Sequence, residues 1–488
     1  MTIISIRRLA NVTSMNLPDI VRTHLDQQGF PYRLVSCPSA ETLIQAAEKL
    51  DIATRQVVRV VLLKDDIGLV MVILPCSYIL DFSIICQSLR RDLEPLYGTE
   101  THHFFEQYGC KTGSHPPLPG VFAITTLADT SLVADENKEI YFDGGGGDVL
   151  VAMRTPDFRE LLKSARWGHF AVSTEDLDSL IGQQEFTPQN LTSLTRRYTP
   201  AKLQEGIEAI TELPVMPETA QRILKLRNHP GVLAQDIIRI VEQDPSLAAQ
   251  VVYWARSPLH GHHGAVDSLY TAIDQVLGIE NTLNLLLGSC MSQTFHIPVD
   301  GPVGLRAFWQ HSIYCASLTS ELAKLPPEPL NINPKLAYLC GLLHDFGYLV
   351  LGHVFPAHFF LFNRFLAVNQ SVPLSVVERY VLGVEHWHIG AWLMQSWNMP
   401  DEVIAAVRWH HNTDCTQPHA EYSNLVLIAN RLLHHVGMSD EPNNRLPALA
   451  MFTLGITREQ AMEALARVQS SITELNSLSE VLRLPAKG

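Results

Sequence analysis

A carboxylate flanked by imidazoles can hold a divalent cation or anchor a buried hydrogen-bond network, and this chain gathers such residues in one stretch. The run Ala337-Tyr338-Leu339-Cys340-Gly341-Leu342-Leu343 carries an apolar pattern directly into His344-Asp345. Bare burial of both polar groups is costly, so the run must deliver them to a cation or to hydrogen-bond partners. His311 stands ahead of the pair, and His386 and the doublet His410-His411 follow it. Ten of the 21 histidines fall between His344 and His435, less than a fifth of the 488 residues, so the enrichment is local.

The elements that must position these residues are helical. From Pro217 onward the apolar spacing follows the 3.6-residue period, with Pro217 opening one helix and Asp244-Pro245 capping and starting another. Longer helices are expected over 303–325 and 334–351, and four or five more to about 437. Ahead of them lies a region of different grammar. A helix is expected over 17–30, a strand at Tyr32–Val35 and a helix at Ser39–Leu50. The β-branched runs Val57–Leu63 and Leu69–Leu74, separated by Lys64-Asp65-Asp66-Ile67-Gly68, predict a hairpin. Strands at 121–125 and 139–142 and a helix at 155–164 complete an α+β domain with a mostly antiparallel sheet. Gly144–Gly147 lacks the following Lys-Ser/Thr of a phosphate loop and reads as a turn.

Composition limits the function classes. Apolar residues make up 46% and charged residues 18%, a globular balance with material for more than one core. Fifty acidic against 36 basic residues give a net charge of −14, which repels phosphate backbones and disfavours a tRNA or anionic-membrane partner. The eight cysteines form no CxxC pair and read as buried reduced thiols, as expected in the cytoplasm. The N-terminus lacks a secretory pattern, and the longest apolar runs, such as Ile67 to Leu74, are too short to cross a bilayer.

The order His311, His344-Asp345, His386, His410-His411 resembles the HD phosphohydrolase superfamily. Leu213-Pro214-Val215-Met216-Pro217, Val241-Glu242-Gln243-Asp244-Pro245 and Gly383-Val384-Glu385-His386 further resemble the HDOD domain, the HD-related output domain of bacterial signalling proteins. The front of the chain, through its helix-strand-helix opening, its strand pair and Gly109-Cys110-Lys111-Thr112-Gly113-Ser114-His115-Pro116-Pro117, resembles the YbaK/prolyl-tRNA-editing family of aminoacyl-tRNA deacylases. These resemblances imply a deacylase-like α+β domain over 15–165, a linker with some helix over 166–205, an all-α HD-type bundle over 206–440 and a helical tail over 441–488.

The HD resemblance implies metal-ligand roles for His311, His344 and Asp345, with His386 and His410 as ligands of a second metal. The final aspartate of the pattern falls at Asn430, a neutral and weaker ligand, and its phosphate-contacting lysine falls at Tyr348. The deacylase resemblance implies a functional lysine, and that position holds Arg59, with Lys111 as the nearby alternative. These substitutions favour a non-catalytic signalling protein that binds a regulatory partner or a small-molecule or nucleotide effector. On that reading no cofactor is expected, and His344, Asp345, His311 and Asn430 form a buried hydrogen-bonded cluster. The alternatives are a phosphohydrolase using Fe, Mn or Mg, with His344 and Asp345 catalytic, and a trans-acting deacylase using Arg59 or Lys111.

Overall fold

The computed structural model describes residues 17–37, 42–96, 98–174, 215–227, 229, 231–256, 266, 268–292, 294–327, 330, 332–438, 445–473, 475–476 and 479. The chain divides into two compact units, residues 1–182 with 364–372, and residues 183–363 with 373–488. The Leu213-Pro214 motif, most of the expected linker and the end of the expected tail lie outside the described residues.

In the first unit the strands are β1 (Arg33–Ser36), β2 (Val57–Asp65), β3 (Gly68–Pro75), β4 (Tyr78–Leu80), β5 (Glu94–Leu96), β6 (Thr125–Asp129), β7 (Glu139–Asp143), β8 (Val149–Arg154), β9 (Arg166–Gly168) and β10 (Ala171–Ser173). Eight of them form one sheet in the order β1-β8-β7-β2-β3-β6-β9, with β5 beside β2. The expected hairpin is present: β2 and β3 pair antiparallel with Leu62 opposite Met71, and the Asp65 carboxylate accepts from the Ile67 and Gly68 amides in the turn. The sheet is mixed, because β2 with β7, β3 with β6 and β6 with β9 run parallel, while the other pairings are antiparallel. β2 and β3 are apolar along most of their length, as strands covered on both faces must be. Helices α1 (Asp19–Gln28), α2 (Leu43–Lys49), α3 (Phe82–Leu89), α4 (Thr99–Glu106), α5 (Pro119–Phe122) and α6 (Thr155–Leu161) complete the unit. Gly144–Gly147 is a turn between β7 and β8, as its composition suggests.

Two features differ from expectation. The α+β unit runs past residue 165 into the expected linker, where β9 and β10 pair with β6 and β4. Residues 364–372, late in the sequence, also belong to this unit.

The second unit is helical throughout its described residues. Its helices are α7 (Glu218–Arg227), α8 (Ala234–Val241), α9 (Pro245–Ala255), α10 (Ile279–Ser292), α11 (Leu305–Leu322), α12 (Pro334–Leu343), α13 (Phe346–Val354), α14 (Pro356–Val368, whose residues from 364 onward are counted with the first unit), α15 (Leu374–Val381), α16 (His386–Ser396), α17 (Asp401–Trp409), α18 (Ala420–His434), α19 (Ala448–Leu454) and α20 (Arg458–Gln469). Asp244 caps α9 through the Ser246 and Leu247 amides, with Pro245 in the first turn. The helix expected over 334–351 is broken at His344-Asp345, where Asp345 takes φ −100° and ψ 11° and ends α12 before α13 begins. The break lies at the ligand-type pair itself.

Candidate functional site

Five helices of the second unit bring the site together. His311 projects from α11, His344 closes α12, Asp345 precedes α13, His386 opens α16 and His410 closes α17. Asn333 starts α12 by accepting from the Lys335 and Leu336 amides. Gly341 lets α12 close on α11, since a Cβ there would lie 2.7 Å from Ala316 Cα.

The Asp345 carboxylate divides the histidines into two pairs. Its Oδ2 lies 3.1 Å from His344 Nε2 and 3.5 Å from His311 Nε2. Its Oδ1 lies 3.1 Å from His386 Nε2 and 3.5 Å from His410 Nε2, yet is buried and makes no hydrogen bond. Within each pair the Nε2 atoms stand 3.2 Å apart.

The opposite ring nitrogens fix the tautomers. His311 Nδ1 donates to Met438 O (2.6 Å), His344 Nδ1 to Gly341 O (2.8 Å), His410 Nδ1 to Val407 O (2.8 Å) and His386 Nδ1 to Glu378 Oε1 (2.7 Å). A carbonyl or carboxylate only accepts, so each Nδ1 carries a proton, and each Nε2 faces Asp345 either as a lone pair or, on a ring that takes a second proton, as a donor. Four lone pairs and a carboxylate facing one another repel unless protons or a cation lie between them. These contacts are those of the hydrogen-bonded cluster expected from the sequence for His311, His344 and Asp345, and the same atoms could instead hold a cation.

The electrostatics treat the rings unequally and favour a second proton on His344 and His386. Burial opposes charge on His344, but Asp345 outweighs it and holds the imidazole well above its usual value. Burial also opposes charge on His386, and the Glu378 and Asp345 carboxylates still push it up to about 10. Burial pushes Glu378 upward against the pull of His386. Burial and the neighbouring His411 hold His410 well below the usual range. Asp345 is held well below its usual range, His344 overcoming the effect of burial.

Asn430 is buried beside this cluster. Its Oδ1 accepts from Cys315 Sγ at 3.4 Å and its Nδ2 has no hydrogen-bond partner. Tyr348 stacks on the His386 ring with centroids 4.2 Å apart, so an aromatic face stands where the resemblance implies a lysine. A pocket of about 160 Å³ reaches Asp345 and His311 past Tyr348, Phe308, Gln310 and Met438, and no Lys or Arg lines it. Two contributors were missed in the sequence. His411, part of the doublet in the sequence but given no ligand role by the resemblance, has a ligand atom within 4.8 Å of those of Asp345, His386 and His410. Glu378 was not singled out at all.

In the first unit a pocket of about 400 Å³ is lined by Arg59, Thr112, Ser114, His115, Asp143 and Cys37, among others. Buried Arg59 donates to Val368 O and Asn369 Oδ1 at 2.7 Å each and to Tyr78 O at 3.0 Å. Lys111 is largely exposed, its Nζ 3.7 Å from Asp148 Oδ1. Arg59 is thus taken up by three oxygens, while Lys111 faces Asp148, a residue of the pocket lining.

Over residues 213–413 the chain matches the HDOD domain model, and over 37–161 the aminoacyl-tRNA editing domain model. It is similar to a candidate signal transduction protein of known structure from Marinobacter aquaeolei VT8, 31% identical over 96% of this chain and all of that one, with a TM-score of 0.81. The chain belongs to the HDOD family. This HDOD protein carries an editing-type domain ahead of its helical one. It is also similar to an uncharacterized protein from Treponema pallidum (strain Nichols), 26% identical over 312 residues. That match takes in 62% of this chain and spans 58% of the relative's length. An HDOD domain protein from Geobacter sulfurreducens, 22% identical over 61% of this chain and 99% of that one, superposes with a TM-score of 0.48. No helix of the described residues is long and apolar enough to cross a membrane.

Proposed function

We propose that this HDOD protein is a bacterial regulatory protein whose helical domain holds a divalent cation at Asp345 and signals by binding a partner, without hydrolysing phosphoesters. The regulatory part is supported by the 31% identity, along nearly the whole chain, to the candidate signal transduction protein from Marinobacter. The cation is supported by one observation above all: every Nδ1 of the four histidines is anchored on an oxygen, which leaves four Nε2 donors and a carboxylate facing one another. Such a set suits a borderline dication, which when bound could polarise a phosphoryl oxygen or activate water.

Turnover is disfavoured by the surroundings. Among the described residues no Lys or Arg lines the pocket at Asp345 to hold a phosphoryl group, and its volume of about 160 Å³ is far below the ~300 Å³ at which ligand sites begin. The editing-type domain is read as a retained scaffold for recognition, because Arg59 is occupied by three oxygens.

The test uses the full chain with added zinc, manganese or iron and a panel of phosphomonoesters, nucleotides and cyclic dinucleotides. The expected result is bound metal and no turnover above the Asp345→Ala variant. Metal-dependent hydrolysis that His344→Ala abolishes would instead establish the phosphohydrolase reading, which the opening of the pocket onto Asp345 favours. Release of amino acid from charged tRNA, lost on changing Arg59 or Lys111, would establish the deacylase.

A further inference from the structure

We infer that the two halves of the Asp345 cluster are unequal, and that one cation occupies the half built by Asp345, His386, His410 and His411, with Glu378 orienting His386. This rests on the metal reading above and reverses the order that the HD resemblance implies, in which His311, His344 and the late carboxylate position come first.

Donor number is the first ground. Asp345, His386, His410 and His411 offer four ligand atoms mutually within 4.8 Å, whereas the other half offers three, from His311, His344 and Asp345. Three imidazoles and one carboxylate complete a tetrahedral shell of the kind Zn²⁺ takes in closed sites.

Charge is the second ground. Three of the histidines rest their Nδ1 on neutral carbonyls, but His386 rests on a carboxylate. Glu378 is fully buried, and its second oxygen accepts the His386 backbone amide at 3.3 Å. A carboxylate behind a ligating imidazole fixes the ring and strengthens it as a donor. A dication in this half is therefore compensated by Asp345 and Glu378 together. In the other half the corresponding position is Asn430, which is neutral and is engaged by Cys315. Charge compensation weighs heavily where water is excluded, and His386 and His410 are fully buried.

The third ground is Asp345 Oδ1. This is the carboxylate oxygen that faces His386 and His410, and it is the one left buried without a hydrogen bond. A buried acceptor left unpartnered between two Nε2 atoms is what a cation would satisfy.

The full chain, stripped with chelator, is titrated with Zn²⁺ by calorimetry and with Co²⁺ by visible absorption, which reports coordination number independently of any activity. We expect one equivalent and the intense spectrum of four-coordinate Co²⁺. His410→Ala should weaken binding more than about 100-fold, Glu378→Gln about 10- to 100-fold, and His311→Ala less than about 10-fold. Circular dichroism of each variant checks the fold. Should Glu378→Gln fail to fold, the contrast between His410→Ala and His311→Ala still decides. Two equivalents in the wild type, or a greater loss with His311→Ala than with His410→Ala, overturns the asymmetry while leaving the metal reading intact. Absence of binding by either metal overturns both.

Discussion

Arg59 and Asn369 stand 310 positions apart in the chain, and Arg59 Nη2 donates to Asn369 Oδ1 at 2.7 Å inside the first unit. Asn369 also joins the edge of β4, its Oδ1 accepting from Leu80 N and its Nδ2 donating to Leu80 O. The residue at the implied deacylase lysine position thus anchors Val368 and Asn369, which follow it by 309 and 310 positions. Burial pulls the Arg59 guanidinium down to about 10, which leaves it charged at neutral pH.

A lysine cannot serve three oxygens in that fork, so Arg59→Lys is expected to destabilise the full chain by about 2 kcal/mol and to create no deacylase. Denaturant unfolding checks the first claim and release of amino acid from charged tRNA the second. A cycle of Arg59→Ala and Asn369→Ala should show about 1–3 kcal/mol of coupling. Strict additivity would mean that the two residues act independently.

His115 gives the first unit a pH dependence with a definite sign. Burial, and secondarily the charge of His102, pushes its imidazole down to about 4. In the unfolded chain the ring protonates near pH 6.5, while in the fold it stays neutral until about pH 4. Between these values the unfolded state binds more protons, so stability is lost as pH falls through that window, by no more than about 3 kcal/mol. His115→Gln should flatten this part of the profile. Unfolding free energies at pH 7 and 4.5 for both proteins measure the difference.

How much of this was legible varies with the range of the signal. The hairpin at Val57–Leu74 and the His-Asp pair were readable because a β-branched run and an apolar run each carry their message locally. The helix break at Asp345 was not, because the apolar pattern continues unbroken from Leu343 into Phe346-Gly347-Tyr348. One helical step turns a residue by about 100°, which by sequence alone sets His411 off the face that carries His410. His410 caps α17 in a helical conformation, and His411 beyond it still brings a ligand atom to the cluster. Glu378 and Asn369 carry no local signal, since their partners are chosen by tertiary packing.

Asn430→Asp tests what the second half of the cluster lacks. The substitution would place a carboxylate beside Cys315, next to His344, and supply the missing charge compensation. The metal-free variant should be less stable than the wild type, and the metal-loaded variant should bind a second equivalent. Elemental analysis after dialysis gives the count, and a count unchanged from the wild type would show that charge is not what limits that half.

Gly347 explains why a glycine stands two positions after Asp345. A Cβ there would lie 1.9 Å from His386 O and 2.6 Å from His386 C, so α13 meets the start of α16 backbone to backbone. Opposite it, a Cβ on Gly390 would lie 3.1 Å from Gly347 N. This contact sets how close the His386 ring comes to Asp345 Oδ1, now 3.1 Å. Backbone cannot yield as a flexible side-chain end can, so Gly347→Ala must push the two helices apart, at a cost of about 3 kcal/mol or more. Because the shift separates Asp345 from His386, the variant should lose metal binding at temperatures where it remains folded. Thermal unfolding together with Zn²⁺ calorimetry measures both effects, and a variant that keeps wild-type affinity would show that the site tolerates the wider spacing.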